Sequence, residues 1–374
     1  MTPTLLRRTA VTGAAAVLGL GAALAGAPSF ADGATADSSR LSGPDRYATA
    51  AAAFDDLMES RPADDRPNTA VLASGEDFPD ALSASYLAGV LDDGKGVGVL
   101  LTRRGSLPAI TLRTLRENRI QVVFVVGGPA VVSERVVGAV QTSYRAGSDD
   151  EVLTTRVAGR DRYETNAVAV REGIDQQYRT EGVTRGRVLL ASGRGFADAL
   201  AAAPLAYANH VPLVLTRGTS AGLVLGGPAR RVSGLDVVGT TDVVSDAAAR
   251  AAAKAAQVPT YTRIGGADRT QTARLVAEHA RTTSPYAAEF SGTRTLAVVN
   301  GSTFPDAVAA GAWAGSARTP LLLTRNGATL GPGLEAYARR AAGGIDHVVA
   351  LGGDDVLPDA RVQQIISLLT PAGR

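Results

Sequence analysis

The sequence predicts an α/β protein made of three similar small parallel-sheet α/β domains. Three observations predict it. The phrase Arg40-Leu-Ser-Gly-Pro-Asp-Arg-Tyr-Ala-Thr49 returns as Arg156-Val-Ala-Gly-Arg-Asp-Arg-Tyr-Glu-Thr165 and as Arg263-Ile-Gly-Gly-Ala-Asp-Arg-Thr-Gln-Thr272, at intervals of 116 and 107 residues. A second phrase follows in step: Ala73-Ser-Gly-Glu-Asp-Phe-Pro-Asp-Ala-Leu82, Ala191-Ser-Gly-Arg-Gly-Phe-Ala-Asp-Ala-Leu200 and Val299-Asn-Gly-Ser-Thr-Phe-Pro-Asp-Ala-Val308. Between the phrases lie short apolar runs without polar alternation, separated by helical stretches, as in parallel sheets covered on both faces.

The first repeat shows the elements in order. Asp45 is placed to cap a helix from Arg46 to about Met58, where Ala-rich spacing without Gly favours helix. Asn68 to Ser74 reads as a strand ending at Gly75, and Pro79 suits the first turn of a helix running to about Leu91. Val97 to Thr102 is a second strand, Pro108 to Asn118 a helix, and Gln121 to Val126 a third strand closed by Gly127-Gly128-Pro129, after which Ser133 is placed to cap another helix. The corresponding strands are Arg187 to Ser192, Val211 to Thr216 and Leu235 to Gly239, then Thr295 to Asn300, Pro320 to Thr324 and His347 to Leu351. Repeats of about 110 residues are domain-sized, longer than solenoid units. The expected organisation is repeat 1 over 32–150, repeat 2 over 151–258 and repeat 3 over 259–374, packed as a pseudo-threefold trimer. An open row is the alternative.

Residues 1–31 read as a secretion signal. Arg7 and Arg8 precede an uncharged Ala/Gly/Leu-rich run from Thr9 to Ala27, and Ser29-Phe30-Ala31 places small residues where a signal peptidase reads. The run lacks the roughly 20 strongly apolar residues of a permanent span. Paired arginines fit twin-arginine export, with Sec export as the alternative. Removing Arg7 and Arg8 brings the 38 basic residues to 36, equal to the 36 acidic ones, which removes the main support for nucleic-acid binding. No cysteine is present, excluding disulfides, thiolate metal sites, a cysteine nucleophile and a lipid-modified N-terminal cysteine.

Any site should recur with the repeat. Ligands of parallel sheets meet the loops at the strands' carboxyl ends. There Ser74-Gly75, Ser192-Gly193 and Asn300-Gly301 close the first strands, and Thr102-Arg103, Thr216-Arg217 and Thr324-Arg325 the second. Glycine lets backbone donors approach an anion, and the following helix start adds partial positive charge. Asp80, Asp198 and Asp306 fall in a first helical turn, as ligand contacts or as complements to the helix dipole. Asp45, Asp161 and Asp268 look like N-caps, each worth about 1 kcal/mol. Beside them Arg46, Arg162 and Arg269 need a further reason, either an internal ion pair to a repeated aspartate or a ligand.

Catalysis is disfavoured by counting. His210, His279 and His347 occupy unrelated positions and the first repeat has none, so no His-based triad or metal site recurs. Gly127-Gly128-Pro129 and Gly352-Gly353-Asp354 are not a nucleotide fingerprint. No cofactor or metal is expected. Paired aspartates acting on a glycosidic bond are the enzymatic alternative.

Taken in order, these phrases resemble the cell-wall-binding type 2 repeat family, from about residue 40 to the C-terminus. The resemblance implies α/β domains packed as a pseudo-trimer, a secreted protein held at the Gram-positive cell wall or surface, and non-covalent, non-catalytic binding of an anionic wall polymer such as a teichoic-acid-like or other wall glycopolymer. It places an apolar polymer-binding strand motif on Val99-Leu100-Leu101, Leu213-Val214-Leu215 and Leu321-Leu322-Leu323, which the residues themselves mark as core strands. A wall hydrolase is the expected protein partner, and the three repeats are expected to fill the mature chain. Departures fall at Ala197, Thr240 and Thr270.

Overall fold

The computed structural model describes residues 36–143, 151–182, 184–219 and 230–371, so the secretion signal expected over 1–31 lies outside the described residues. The described residues belong to one compact unit. Twelve strands are present among the described residues: β1 (Asp37–Leu41), β2 (Thr69–Ser74), β3 (Val99–Thr102), β4 (Val122–Val126), β5 (Leu153–Val157), β6 (Thr184–Ser192), β7 (Leu213–Thr216), β8 (Arg230–Val238), β9 (Thr262–Ile264), β10 (Thr295–Asn300), β11 (Leu321–Thr324) and β12 (His347–Leu351). They form three four-stranded parallel sheets, ordered β3-β2-β4-β5, β7-β6-β8-β9 and β11-β10-β12-β1.

The nine expected strands are all there. Several begin a residue or two late, as at Val97 and Val211, which precede Gly98 and Pro212 and whose buried amides donate to the helix carbonyls of Ala88 and Ala206 instead of to a strand. The fourth strand of each sheet is additional to the nine that the sequence marks. β5, from the start of the second repeat, completes the first sheet, and β9, from the third, completes the second. β1 completes the third sheet in parallel register with β12, Asp37 opposite His347 and Leu41 opposite Leu351. The sheets are therefore offset by one strand from the sequence repeats, and strand exchange runs in a closed cycle.

Arginine explains why these outer strands dock. Arg40 Nη1 donates to the Gly352 carbonyl at 2.5 Å and its Nη2 to the Leu357 carbonyl at 2.9 Å. Arg156 makes the same contacts to Gly127 (2.7 Å) and Val132 (3.0 Å), and Arg263 reaches Gly239 at 2.9 Å. Each guanidinium opening a repeat thus binds carbonyls left free at the turn of the preceding one, polar groups that are costly to bury unpaired.

Each helix that follows is capped as expected. The carboxylates of Asp45, Asp161 and Asp268 accept from two amides apiece, those of Tyr47 and Ala48, Tyr163 and Glu164, and Thr270 and Gln271. Ser133 takes the N-cap position but makes no capping bond; its hydroxyl is buried without a partner. The single helix expected from Pro79 to Leu91 divides into Phe78–Ala81 and Ala84–Val90. Ser83 between them stays near-helical, at φ −79° and ψ −9°.

Inner helices Ala84–Val90, Ala197–Ala208 and Pro305–Ser316 pack on one another pairwise. Their contacts form layers. At the end nearest the strands' carboxyl termini, the rings of Phe78, Phe196 and Phe304 meet with centroids 5.6, 5.8 and 6.4 Å apart. Lower down, a Cβ on Gly311 would come within 2.7 Å of Ala203 Cβ and 3.3 Å of Ser85 Oγ. At the far end Tyr207 lies where its counterparts in the other two repeats are Gly89 and Gly315. A Cβ on either would fall 2.4 or 2.5 Å from Tyr207 atoms. Gly89 makes room for the backbone of Tyr207 and Gly315 for its side chain.

Candidate functional site

Register brings the candidate residues of each repeat side by side. Ser74 pairs with Thr102, Ser192 with Thr216 and Asn300 with Thr324 at the carboxyl ends of adjacent strands. The glycines that follow do not offer the free amides expected of an anion cradle. Gly75, Gly193 and Gly301 donate to the carbonyls of Thr102, Thr216 and Thr324 at 2.9, 2.9 and 3.1 Å. The next amides are also engaged: Ser74 Oγ accepts from Glu76 and Asp77, Ser192 Oγ from Arg194, and Asn300 Oδ1 from Ser302.

The two sets of repeated arginines divide the work differently from expectation. The ion pair to a repeated aspartate expected of Arg46, Arg162 and Arg269 gives way to a backbone contact. Arg46 Nη1 donates to the Gly75 carbonyl at 2.6 Å, Arg162 to Gly193 at 3.0 Å, and Arg269 to Gly301. The ion pair to the capping aspartate comes from the strand-end arginine: Arg103 to Asp45 at 3.8 Å, Arg217 to Asp161 at 2.5 Å and Arg325 to Asp268 at 3.1 Å. Arg103 and Arg217 also lie over the rings of Tyr47 and Tyr163, 4.6 and 4.2 Å from the centroids. In the third repeat Thr270 replaces that ring and donates to Asp268 at 2.7 Å.

Asp80, Asp198 and Asp306 meet the next repeat in the cycle. Asp80 is hydrogen-bonded to Thr165 and sits in the field of Arg162; Asp198 has Thr272 and Arg269; Asp306 has Thr49 and Arg46. The threonine hydroxyls in turn accept from the amides of Gly159, Gly266 and Gly43, at 3.0, 3.1 and 3.2 Å. Above each carboxyl passes a glycine of its own repeat with positive φ, Gly127, Gly239 or Gly352. A Cβ there would come 3.2, 2.8 or 3.1 Å from the carboxyl oxygen. Burial pushes all three carboxyls up from the usual range, and Asp306, only 8% exposed, to about 6.

Sequence reasoning missed two sets of residues here. Thr49, Thr165 and Thr272 end the first phrase, and their triplication is the signal that could have found them. The triplicated Phe78, Phe196 and Phe304 likewise mark the place where repeats converge, with Arg162 and Arg269 5.6 and 5.7 Å from the Phe78 and Phe196 ring centres. Clefts open at two of these junctions. Between repeats 2 and 3, a cleft of about 290 Å³ is lined by Ser192, Asp198, Asp268, Arg269 and Thr272. Between repeats 3 and 1, one of about 230 Å³ is lined by Asp45, Arg46, Thr49, Asp306 and Asp355. The apolar strand motifs are elsewhere: Val99-Leu100-Leu101, Leu213-Val214-Leu215 and Leu321-Leu322-Leu323 are buried in the core.

The histidines stay apart. His210 contacts Glu181, His279 faces Asp236, and His347 bonds Asp37 and Ser39. Among the described residues no group of three His, Asp or Glu side chains is placed to hold a metal ion, and no helix is long and apolar enough to cross a membrane.

Comparison with known proteins agrees with this organisation. The chain is 28% identical over 308 residues to the N-acetylmuramoyl-L-alanine amidase LytC of Bacillus subtilis, covering 81% of this chain and 54% of the amidase. It is 29% identical over 177 residues to the amidase enhancer of the same organism, covering 47% of this chain and 21% of the enhancer. It thus spans about half, or less, of these relatives. In structure it is similar to Cwp6 from Clostridium difficile (TM-score 0.74, 20% identity, 90% of this chain and 48% of that one). Cwp8 from the same organism is similar at TM-score 0.69 and 19% identity, over 89% of this chain and 52% of that one. Residues 40–137, 156–249 and 263–362 each match cell wall binding domain 2, so the chain belongs to the CWB2 family.

Proposed function

We propose that this chain is an exported, non-catalytic protein that attaches to the bacterial cell wall by binding an anionic wall polymer at its three repeat junctions. The observation that carries this reading is the threefold recurrence of one polar constellation in a chain whose three segments match a cell wall binding family. The candidate polymer contacts are Arg46, Arg162 and Arg269 with Asp80, Asp198 and Asp306 at the junctions. The rim adds Ser74-Gly75, Ser192-Gly193 and Asn300-Gly301 with Thr102-Arg103, Thr216-Arg217 and Thr324-Arg325. Three weak sites on one polymer raise each other's effective concentration and tighten binding by about 10² to 10⁴ fold when the geometry allows.

Sedimentation of the protein with purified Gram-positive walls, before and after acid extraction of the anionic polymer, tests this. Binding lost on extraction is the expected result; binding undiminished by extraction, or absent before it, refutes the reading. Replacing Arg46, Arg162 and Arg269 by Ala should weaken binding progressively, with melting curves separating lost contacts from lost folding.

A modifier role is the second reading, favoured by the similarity to an amidase enhancer. It predicts that the pure protein releases no soluble sugar or peptide from walls, yet raises the rate of an added wall amidase.

A further inference from the structure

The charge balance of the junction clefts conflicts with simple anion binding. Between repeats 3 and 1 the lining carries three carboxyls, Asp45, Asp306 and Asp355, against the single guanidinium of Arg46. Between repeats 2 and 3 it carries Asp198 and Asp268 against Arg269. At the first junction Asp80 faces Arg162, with Asp77 and Asp161 nearby. The capping aspartates are already compensated, by backbone amides and by Arg103, Arg217 and Arg325. Asp80, Asp198 and Asp306 are not: each has one threonine hydroxyl and the field of an arginine whose donor is directed at a glycine carbonyl. With the capping aspartates compensated in this way, an ionised Asp80, Asp198 or Asp306 offsets the charge of the arginine beside it; with that carboxyl neutral, the arginine's charge is free to act on an incoming anion.

Resting on the wall-binding reading above, we propose that each junction takes up a proton on Asp80, Asp198 or Asp306 together with the anionic group it binds, so that wall attachment tightens as the pH falls. The direction follows from linkage. Burial already places Asp306 at about 6 and raises Asp80 and Asp198. A bound anion adds like charge beside the carboxylate and favours its neutral form further. Affinity therefore rises as the pH drops through the range between the bound and free titrations, and levels off below the free one. The proton comes from solvent, and no covalent bond changes. The repeated Thr49, Thr165 and Thr272 are the positioning residues, holding the carboxyl beside the guanidinium through a hydroxyl that is itself fixed by Gly43, Gly159 and Gly266.

The test measures sedimentation with isolated Gram-positive walls at pH 5 and pH 8 for the native protein and for the D80N/D198N/D306N variant. Asparagine keeps the shape and a hydrogen bond but cannot ionise. A titration midpoint displaced by about one pH unit on binding changes affinity by about tenfold, so the native protein should bind at least about tenfold tighter at pH 5. The variant should show a flat profile at the tight level. A native profile that is flat, or a variant that keeps the native slope because the wall itself titrates, overturns the proposal. Should the triple variant fold poorly, D306N alone is expected to reduce the slope, and an unchanged slope counts against the proposal. Absence of native binding at both pH values would instead remove the wall-binding reading itself, so the two failures are distinguishable.

Discussion

Asp236, fully buried in the middle of the second sheet, is gripped by Arg187 through two bonds of 2.5 Å. Tyr286 of the third repeat donates to the same carboxylate at 2.7 Å and His279 stands 3.6 Å away. Burial alone would push this carboxyl up, but the bonds from Arg187 and Tyr286, with His279 close by, outweigh it and hold it at about 2. The corresponding positions of the other sheets are Phe124 and Val349. A polar cluster therefore stands where its sister sheets are apolar, and it links repeat 2 to repeat 3 alone.

Breaking that cluster on one side should be costly. Asp236→Asn leaves a partly buried guanidinium without its counter-ion, and removal of one partner of a buried pair typically loses about 3–5 kcal/mol. Chemical denaturation should show a loss of that size, whereas an Arg187→Met/Asp236→Leu/Tyr286→Phe triple variant, which leaves neither the guanidinium nor the tyrosine hydroxyl unpaired, should recover most of it. Since the carboxyl titrates below its ordinary value, its contribution is complete above about pH 4 and fades only as the pH falls through about 2. The deficit of Asp236→Asn should accordingly be constant from pH 5 to 8.

The far end of the inner helices gives a second prediction. Gly315→Ala would place a Cβ 2.5 Å from Tyr207 Cβ, and overpacking of this kind costs about 1–3 kcal/mol. Tyr207→Ala should cost more, about 3–5 kcal/mol, because a large ring leaves a cavity. The two changes share part of one space: Tyr207→Ala removes Cγ and Cδ1, 2.7 and 2.9 Å from the new Cβ, and keeps only the residue's own Cβ. The double variant should be more stable than the sum of the singles requires, a coupling that urea titration of all four proteins measures.

Legibility in the sequence depends on the range of the interaction. The inner strands, such as Thr69–Ser74, are legible because burial on both faces leaves an unbroken apolar run. The outer strands are not: Asp37-Ser38-Ser39 is exposed and polar, and its partner β12 lies about three hundred residues away, beyond any local pattern. Caps such as Asp45 act over three residues, within reach of a local pattern. Triplication marks Arg46, but its bond to Gly75 and the approach of Asp306 depend on how repeats meet, which periodicity does not encode.

Closure by β1 makes a local prediction. Arg40→Ala removes the donors to two carbonyls at the end of β12 and beyond, leaving partly buried acceptors unpaired at about 1–3 kcal/mol. Its pair with the 75%-exposed Asp359 adds little. Hydrogen exchange should rise in β1 and β12 and stay unchanged in β2 and β4. Uniform acceleration in all three sheets would show that the N-terminal strand holds the whole unit rather than the third sheet.

The final prediction concerns the pH dependence of stability itself, apart from any ligand. Asp306 titrates at about 6 in the fold and near 3.9 in an unfolded chain. A carboxyl raised in this way destabilises the fold once it ionises: the cost is absent below about pH 4, grows between pH 4 and 6 and is complete above about pH 6. The gap between the folded and unfolded titrations corresponds to about 2–3 kcal/mol at neutral pH. Asp306→Asn, which keeps the contact with Thr49 and cannot ionise, should therefore melt higher than the native protein at pH 7.5 and coincide with it at pH 4. A variant less stable than the native protein at pH 7.5 would mean that the ionised carboxylate is net favourable beside Arg46, and that the guanidinium outweighs the burial.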